Sequence, residues 1–485
     1  MPSRDTLTTV LAAFAAGWCV MSLEMLDGRL MAPVFGQTVY QWGAIIGTAL
    51  AFMSAGYWFG GRLGAGRRAG AALPVLLGIA ALAASLTPWM GRAVSAAAEA
   101  ALGPLAGAVG ASAVLIGPPA FTLAAVSPLC VARLAGREGA APAAGAVSAA
   151  QALGSIGGTF YAAFFAIPQM GLTAGYASAA LLAALAALLT GLRPVLAGLA
   201  LLPLLPGTLA ERAQAARYAA YVETPYNTIM VWDTPPATYL MLNSPIAVQS
   251  MRRRDGAETG SYWELLAATP ALAEGRSALF LGVAGGSAIE ATLRAWPGLR
   301  AQGVEIDPGV TAVAREYFAL TIPVQHADAR RALAGGTETF DVIVVDLYAT
   351  GQMPAHVATA EFFQAVSRRL APGGVVALNV FGAGDPRAVA GPLAATLRAV
   401  FPAVLAVRSG SGNTILLAWN EPMPLATAVA RLRAAPAPAR RVAERMAATL
   451  ADAAPLAAGH QPLTDERSDL ELRAARALAL GRAAR

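Results

Sequence analysis

The chain contains no lysine, so its positive charge is carried by arginine alone and still leaves a net +6. That absence removes Schiff-base chemistry on a lysine amine, and it removes the phosphate-cradling lysine of a Walker-type loop. Cysteine is almost as scarce. Cys19 and Cys130 both lie in apolar stretches, which argues against a disulfide framework or a zinc site. His326, His356 and His460 are too scattered to act as a ligand cluster, so no metal is expected. Charged residues make up only 13% of the chain, and no basic stripe alternates with aromatics. Nucleic acid is therefore not an expected partner.

Apolar length takes the place of charge. The hydrophobic share is 56% and the mean hydropathy +0.54, above what a soluble enzyme shows, and a lipid bilayer is the expected surrounding of the excess. A chain of 485 residues should divide into two or three domains. Five runs without charge lie between Arg29 and Arg62, Arg68 and Arg92, Glu99 and Arg133, Glu138 and Arg193, and Arg193 and Glu211. An apolar segment from Thr8 to Leu26, interrupted only by Glu24, precedes them and is read as a retained span, since no convincing cleavage site follows it. A span takes about 20 residues. The run after Gly139 fits two spans around Pro168-Gln169-Met170-Gly171, and the run from Ala100 to Ala132 is expected to break at Pro118-Pro119. Residues 1–210 are thus expected to form a helical transmembrane domain of six or seven spans. Arg62, Arg67 and Arg68, then Arg133 and Arg137, mark the second and fourth connections as cytoplasmic and place the N-terminus inside. The seventh candidate, Pro194 to Ala210, is short and interrupted by Pro203 and Pro206, and is read as interfacial or re-entrant. Glu24, Asp27 and Arg29 cluster at the end of the first span. They are either functional intramembrane charges or a pairing of Glu24 with Arg29 across a helical turn.

After Arg217 the pattern changes. Residues 217–262 read as short strands, with Tyr226, Ile229 and Val231 suited to a small sheet. The stretch from Leu279 to Asp307, LFLGVAGGSAIEATLRAWPGLRAQGVEID, then reads strand, glycine turn, helix, strand. Gly282, Ala284, Gly285 and Gly286 form a turn nearly free of side chains, where a backbone can approach a ligand at a helix N-terminus. Glu305 lies 23 residues after Gly282, where a doubly wound sheet presents an acid to a ribose hydroxyl pair. The Gly-x-Ala-x-Gly spacing favours an S-adenosyl ligand over a dinucleotide. Further alternation through Gly309–Phe318, TIPVQHADARRAL, FDVIVVDLY, TAEFFQAVSRRLAPGG, VVALNVF and AVRSGSGNTILLAWN gives an α/β Rossmann-like domain of class I methyltransferase type over 263–420. Glu305, Asp328 and Asp346 fall at carboxyl ends of its strands, and 421–485 reads as a helical tail.

These segments together resemble a spermidine synthase, or polyamine aminopropyltransferase, domain fused behind a membrane domain, as in bacterial fused proteins. ETPYNTIMV, LFLGVAGGS, VEIDPGVTAVAREYF, the ADAR segment and FDVIVVD stand in the family's order. SLEMLDGRLMAPVFG, AAGAVSAAQALGSIGGTFYAAFFAIPQMG and QPLTDERSDLEL resemble the fused forms. The resemblance implies transfer of the aminopropyl group of decarboxylated S-adenosylmethionine to putrescine or a related amine, releasing methylthioadenosine. It implies that Glu305 holds the ribose and that Asp328 accepts from the adenine amino group. Asn227, Gly282, Ala284, Gly285, Gly286, Ile306 and Ala329 would line the same site. Asp346, with Tyr348 beside it, would deprotonate or orient the amine, and Tyr262, Glu264, Gln249 and Asp346 would face that substrate. It further implies a bacterial inner-membrane protein with a cytoplasmic catalytic domain that pairs as a homodimer.

The departures from the family pattern are specific. Gly285 stands where the family usually has an aspartate for the donor's aminopropyl end, and Ala349 stands where it has a second catalytic-loop aspartate. Asn227 replaces a glutamine, and the Tyr-His/Gln-Glu motif reads Tyr262-Trp263-Glu264. Two other readings remain open: an S-adenosylmethionine-dependent methyltransferase, and a non-catalytic membrane sensor or transporter whose soluble domain binds a nucleoside or polyamine.

Overall fold

The computed structural model describes residues 3–66, 69–245, 247–273, 275–348, 352–382, 386–409 and 412–483. The chain forms two compact units, Met1–Arg217 with Glu223–Pro225, and Tyr218–Val222 with Tyr226–Arg485.

In the first unit the apolar runs are helices: α1 (Arg4–Phe35), α2 (Val39–Gly64), α3 (Ala69–Leu115), α4 (Gly117–Glu138), α5 (Ala140–Tyr161), α6 (Leu172–Thr190), α7 (Pro194–Leu201) and α8 (Leu204–Ala215). Among the described residues seven stretches are long and apolar enough to cross a bilayer, the last being Pro194–Ala215. It is split between α7 and α8, where Pro203 interrupts the helical run. Arg67 and Arg68, used above for orientation, lie outside the described residues. As one straight rod the 47 residues of α3 would reach about 70 Å, over twice the hydrocarbon thickness. Gly103, at φ 77° and ψ 179°, interrupts it, and Gly107 packs against the backbone of Ala98 and Glu99. Pro118 and Pro119 occupy the first turn of α4, where a missing N–H costs nothing. After α5 a π-helical stretch, Ala162–Met170, runs to Gly171, where φ of 81° turns the chain into α6.

Small residues let these apolar helices pack with close backbone contact. A Cβ added at Gly17 would collide with the Gln151 carbonyl oxygen, one at Gly154 with that of Phe14, and one at Gly158 with that of Trp18. These three glycines let α1 and α5 touch backbone to backbone, and Gly56 and Gly60 do the same for α2 against Phe121 and Ala125 of α4. Gly154→Val should therefore cost about 1–3 kcal/mol by overpacking, read as a lower melting temperature of the detergent-solubilised chain. An unchanged melting curve would show that α1 and α5 are free to move apart. Within this unit Asp27 accepts from the Tyr176 hydroxyl at 2.6 Å, and Arg29 donates to the Thr224 carbonyl at 3.0 Å.

The second unit begins with a four-stranded sheet, β1 (Ala220–Glu223), β2 (Thr228–Asp233), β3 (Ala237–Leu242) and β4 (Val248–Arg253), antiparallel from β2 to β4. A larger α/β layer follows: α9 (Tyr262–Leu266), β5 (Ser277–Leu281), α10 (Ser287–Ala295), β6 (Arg300–Glu305), α11 (Pro308–Phe318), β7 (Val324–His326), α12 (Ala329–Gly335), β8 (Phe340–Val345), α13 (Ala360–Arg368), β9 (Leu370–Phe381), α14 (Pro386–Val400), β10 (Ala403–Arg408) and β11 (Asn413–Trp419). The chain closes with α15 (Leu425–Arg433), α16 (Arg440–Thr449), β12 (Leu450–Asp452), α17 (Ala454–Ala457) and α18 (Leu470–Ala483). The sheet order is β12-β10-β11-β9-β8-β5-β6-β7. From β7 to β9 the strands are parallel, and β11, β10 and β12 continue antiparallel. Strand β5 is buried throughout because both faces are covered: Ala278 and Phe280 join one apolar core, Leu279 and Leu281 the other.

This order positions the site. The chain leaves β5 for β6 and β7, then returns to β8 on the other side of β5. The connections after β5 and β8 diverge, which opens a crevice at the carboxyl ends of these two strands. The tail beyond residue 420 contributes more than helices: β12 is the edge strand beside β10, and Ala428, Leu432, Val442 and Met446 are buried in the core.

Candidate active site

The turn after β5 is built on two left-handed glycines and one strained alanine. Gly282 has φ 89°, and any Cβ there would strike the Asp346 carbonyl oxygen. Its N–H donates to Val304 O at 2.9 Å, while Asp346 N donates to Leu281 O at 2.9 Å, so the ends of β6, β5 and β8 are laced together. Ala284 sits at φ 47°, a conformation costing a side chain about 1–2 kcal/mol. Gly286 follows at φ 86° and starts α10. The turn aims the Val283 and Ala284 N–H groups at Glu305 Oε2, each at 3.2 Å, and Glu305 Oε1 accepts from Asp307 N at 3.1 Å. Burial pushes the Glu305 carboxyl above its ordinary value in spite of these three donors. Each oxygen keeps acceptor capacity for a hydroxyl. Next to it Ile306 is exposed, a large apolar side chain at a strand end.

Across the crevice Asp346 follows β8. Its Oδ2 accepts from the Tyr262 hydroxyl at 2.9 Å and its Oδ1 from Asn379 Nδ2 at 2.8 Å. Burial raises the Asp346 carboxyl, opposed by those two hydrogen bonds, so the group is biased toward holding a proton more firmly than a surface aspartate. Burial also raises the Tyr262 hydroxyl, helped by the carboxylate it faces, which keeps it a donor. The Tyr348 hydroxyl donates to Asn379 O at 3.0 Å and accepts from Phe381 N at 2.6 Å. Its hydrogen-bonding role is thus to latch the segment after β8 onto the end of β9. Ala349 lies outside the described residues.

The other candidate residues are spread around this centre. At Gly285 a Cβ would stand 2.6 Å from Ser250 Cβ and 3.0 Å from Ser250 Oγ, and Gly285 N donates to that Oγ at 2.9 Å. The space an acid would use is filled by Ser250 of β4. Gln249, its neighbour, is half-buried on the same strand. Asn227 donates to Asp307 Oδ2 at 2.8 Å and accepts from Asn243 Nδ2 at 2.8 Å, and Asp307 Oδ1 caps α11 through Gly309 N. Asp328 caps α12, its Oδ1 accepting from Arg330 N and Arg331 N, while Oδ2 meets His356 Nε2 at 3.0 Å. Burial alone would raise that carboxyl; the bonds from His356 and the two backbone N–H groups outweigh it and hold it below the ordinary value. Ala329 is buried at the start of α12. Glu264 is buried and faces elsewhere: Oε1 accepts from both Thr259 N and Thr259 Oγ1 at 2.6 Å, and Oε2 is buried without a hydrogen-bond partner. It lines a recess with Met251, Ser287 and Arg294, so two residues beyond Tyr262 the chain presents its acid to a different surrounding from that of Asp346.

Asn379, Ser250 and Asp465 were not singled out from the sequence, and His356 was weighed only as a metal ligand. Asp465 pairs with Arg330, with Nη1 to Oδ1 at 2.8 Å, and accepts from Thr359 at 2.8 Å, which ties the segment 461–472 to the starts of α12 and α13. Its place within QPLTDERSDLEL was the available signal. For Asn379 the signal was weaker, a lone amide inside the otherwise apolar VVALNVF.

No protein-family model matches the chain. It is 35% identical over 197 residues to a probable polyamine aminopropyl transferase of Bifidobacterium longum, covering 40% of this chain and 42% of that protein. It is 30% identical over 156 residues to a polyamine aminopropyltransferase of Vibrio vulnificus, covering 30% of this chain and 51% of that protein. The chain spans about half the length, or less, of the curated relatives it matches. Among solved structures, a probable spermidine synthase from Corynebacterium glutamicum is similar at 22% identity and a TM-score of 0.42, covering 52% of this chain and 97% of that one.

Proposed function

We propose that this homologue of the polyamine aminopropyltransferases is a membrane-anchored transferase that moves the aminopropyl group of decarboxylated S-adenosylmethionine to an amine of the putrescine type. The observation that carries the reading is the buried Asp346 carboxylate after β8, held by Tyr262 and Asn379, facing across β5 the Glu305 carboxylate at the end of β6 that the glycine turn's N–H groups meet. An amine is protonated at neutral pH and attacks only after losing a proton. A buried carboxylate with a raised proton affinity is suited to take it. The freed nitrogen lone pair then attacks the carbon next to the sulfonium, the C–S bond breaks, and its electrons neutralise the sulfur as methylthioadenosine leaves. Positioning supplies much of the remaining acceleration. Glu305 holds the ribose hydroxyls, Ile306 offers an apolar surface to the base, and Asp328 is the acceptor for its amino group. The apolar helices anchor this unit to the inner membrane of a bacterium with the transferase facing the cytoplasm, where S-adenosyl donors are made. A homodimer through the transferase unit belongs to the same reading.

A second reading, methyl transfer from S-adenosylmethionine, draws on one observation: Ser250 occupies the place of the carboxylate that would meet a cationic donor tail. Calorimetric titration of the detergent-solubilised chain with S-adenosylmethionine, its decarboxylated form and methylthioadenosine separates the two. Preference for the decarboxylated form supports aminopropyl transfer, preference for the intact form supports methyl transfer, and binding of neither removes both. With an amine acceptor in hand, Tyr262→Phe should move the acidic limb of the pH profile up by about one unit. The lost hydroxyl had stabilised the charged carboxylate, so the variant's Asp346 holds its proton to higher pH. A limb that stays in place would show that Tyr262 does not tune the base.

A further inference from the structure

We propose that Asn413 is a positioning residue for this site: acting through Asn379, it fixes which end of the Asn379 amide faces Asp346, and so sets how tightly that carboxylate holds a proton. The inference rests on Asp346 being the base in the reading above.

A side-chain amide has a donor end and an acceptor end, and a chain of amides must alternate them. Asn413 Nδ2 donates to Asn379 Oδ1 at 2.9 Å, and Asn379 Nδ2 donates to Asp346 Oδ1 at 2.8 Å. With its oxygen committed to Asn413, Asn379 has only N–H to offer Asp346. An N–H stabilises the ionised carboxylate; an amide oxygen in its place could be satisfied only by a protonated one. Asn379 is 2% and Asn413 6% exposed, so water cannot repair an amide turned the wrong way. Backbone pairing does not call for these side chains. In the ladder Asn379 lies opposite Ile415 and Asn413 opposite Phe381, so the two amides meet on a diagonal. Asn413 is itself anchored, its N–H donating to Ser409 Oγ at 3.1 Å and its carbonyl accepting from Ser409 N at 2.9 Å. Among the described residues the ionisable groups facing Asp346 are Tyr262 from α9 and Tyr348 from its own segment. No charged side chain among the described residues is a hydrogen-bond partner of Asp346. Its described donors are thus neutral, and Asn379 is one of the two.

The test compares pH profiles of kcat/KM for the full chain with Asn413→Leu and Asn413→Asp. Leucine removes the donor without adding charge and frees Asn379 to turn, so the acidic limb should rise by about half a unit to one unit with the donor's KM unchanged. An ionised aspartate accepts only, claims the Asn379 N–H, and should raise the limb further. Folded variants whose acidic limb coincides with that of the unaltered chain, whatever their kcat, would overturn the proposal. If the unaltered chain transfers no aminopropyl group to any amine, the function fails on its own and the relay is still testable. Infrared titration of the carboxyl band that disappears in Asp346→Asn reads the same shift without turnover. A band that titrates identically in Asn413→Leu refutes the relay.

Discussion

Asp346→Asn is expected to lower kcat by about 10²–10⁴-fold, the range of a lost general base, while leaving affinity for the nucleoside donor within a few-fold. The change preserves shape and can preserve both contacts. The Tyr262 hydroxyl can turn to accept from the new amide, and Asn379 can still donate to its oxygen. What is lost is a group that accepts a proton. Side-by-side turnover and calorimetry decide the matter. Intact turnover would remove Asp346 from the chemistry, and a parallel loss of donor binding would make it a binding residue instead.

Glu305→Ala should weaken donor binding by about 10–100-fold, the equivalent of one charge-assisted hydroxyl clasp of about 1.5–3 kcal/mol. The effect has two parts, because Glu305 also anchors the Val283 and Ala284 N–H groups of the turn. Glu305→Gln keeps an oxygen for those donors and isolates the charge. The sharper readout is discrimination. The unaltered chain should reject a 2′-deoxy analogue of methylthioadenosine, and Glu305→Ala should lose that preference, because its site no longer holds an acceptor left unpaired by the missing hydroxyl. If both forms of the protein treat the two ligands alike, the ribose is held elsewhere.

Much of this architecture could be read from residue patterns, for physical reasons that differ by region. Helix α10 (Ser287–Ala295) follows the glycine turn, as the strand-turn-helix reading expects, because the turn starts it and its apolar face recurs at helical spacing. The places of Glu305 and Asp346 at the carboxyl ends of β6 and β8 were legible because an acid after an apolar run stands out. The break in α3 at Gly103 was not, since a glycine in an alanine-rich run carries no local sign that it will adopt positive φ. Strand β12 has three residues, too few for a period-two pattern. Asn379 and Asn413 lie 34 residues apart, and only the antiparallel register of β9 and β11 brings them together. The same limit applies to Glu264, which neighbours Tyr262 in sequence yet turns to Thr259.

Ser250 leaning into the place above Gly285 also constrains the order in which this pocket can change. An acid introduced at 285 while Ser250 remains must displace a strand-borne side chain, and it takes the Gly285 N–H from its acceptor. Trimming Ser250 to glycine first leaves a gap that the acid could then enter. The two positions are therefore epistatic, and their double substitution is not the sum of its parts. The effect of any side chain at 285 therefore depends on which residue stands at 250, and neither position can be judged apart from the other.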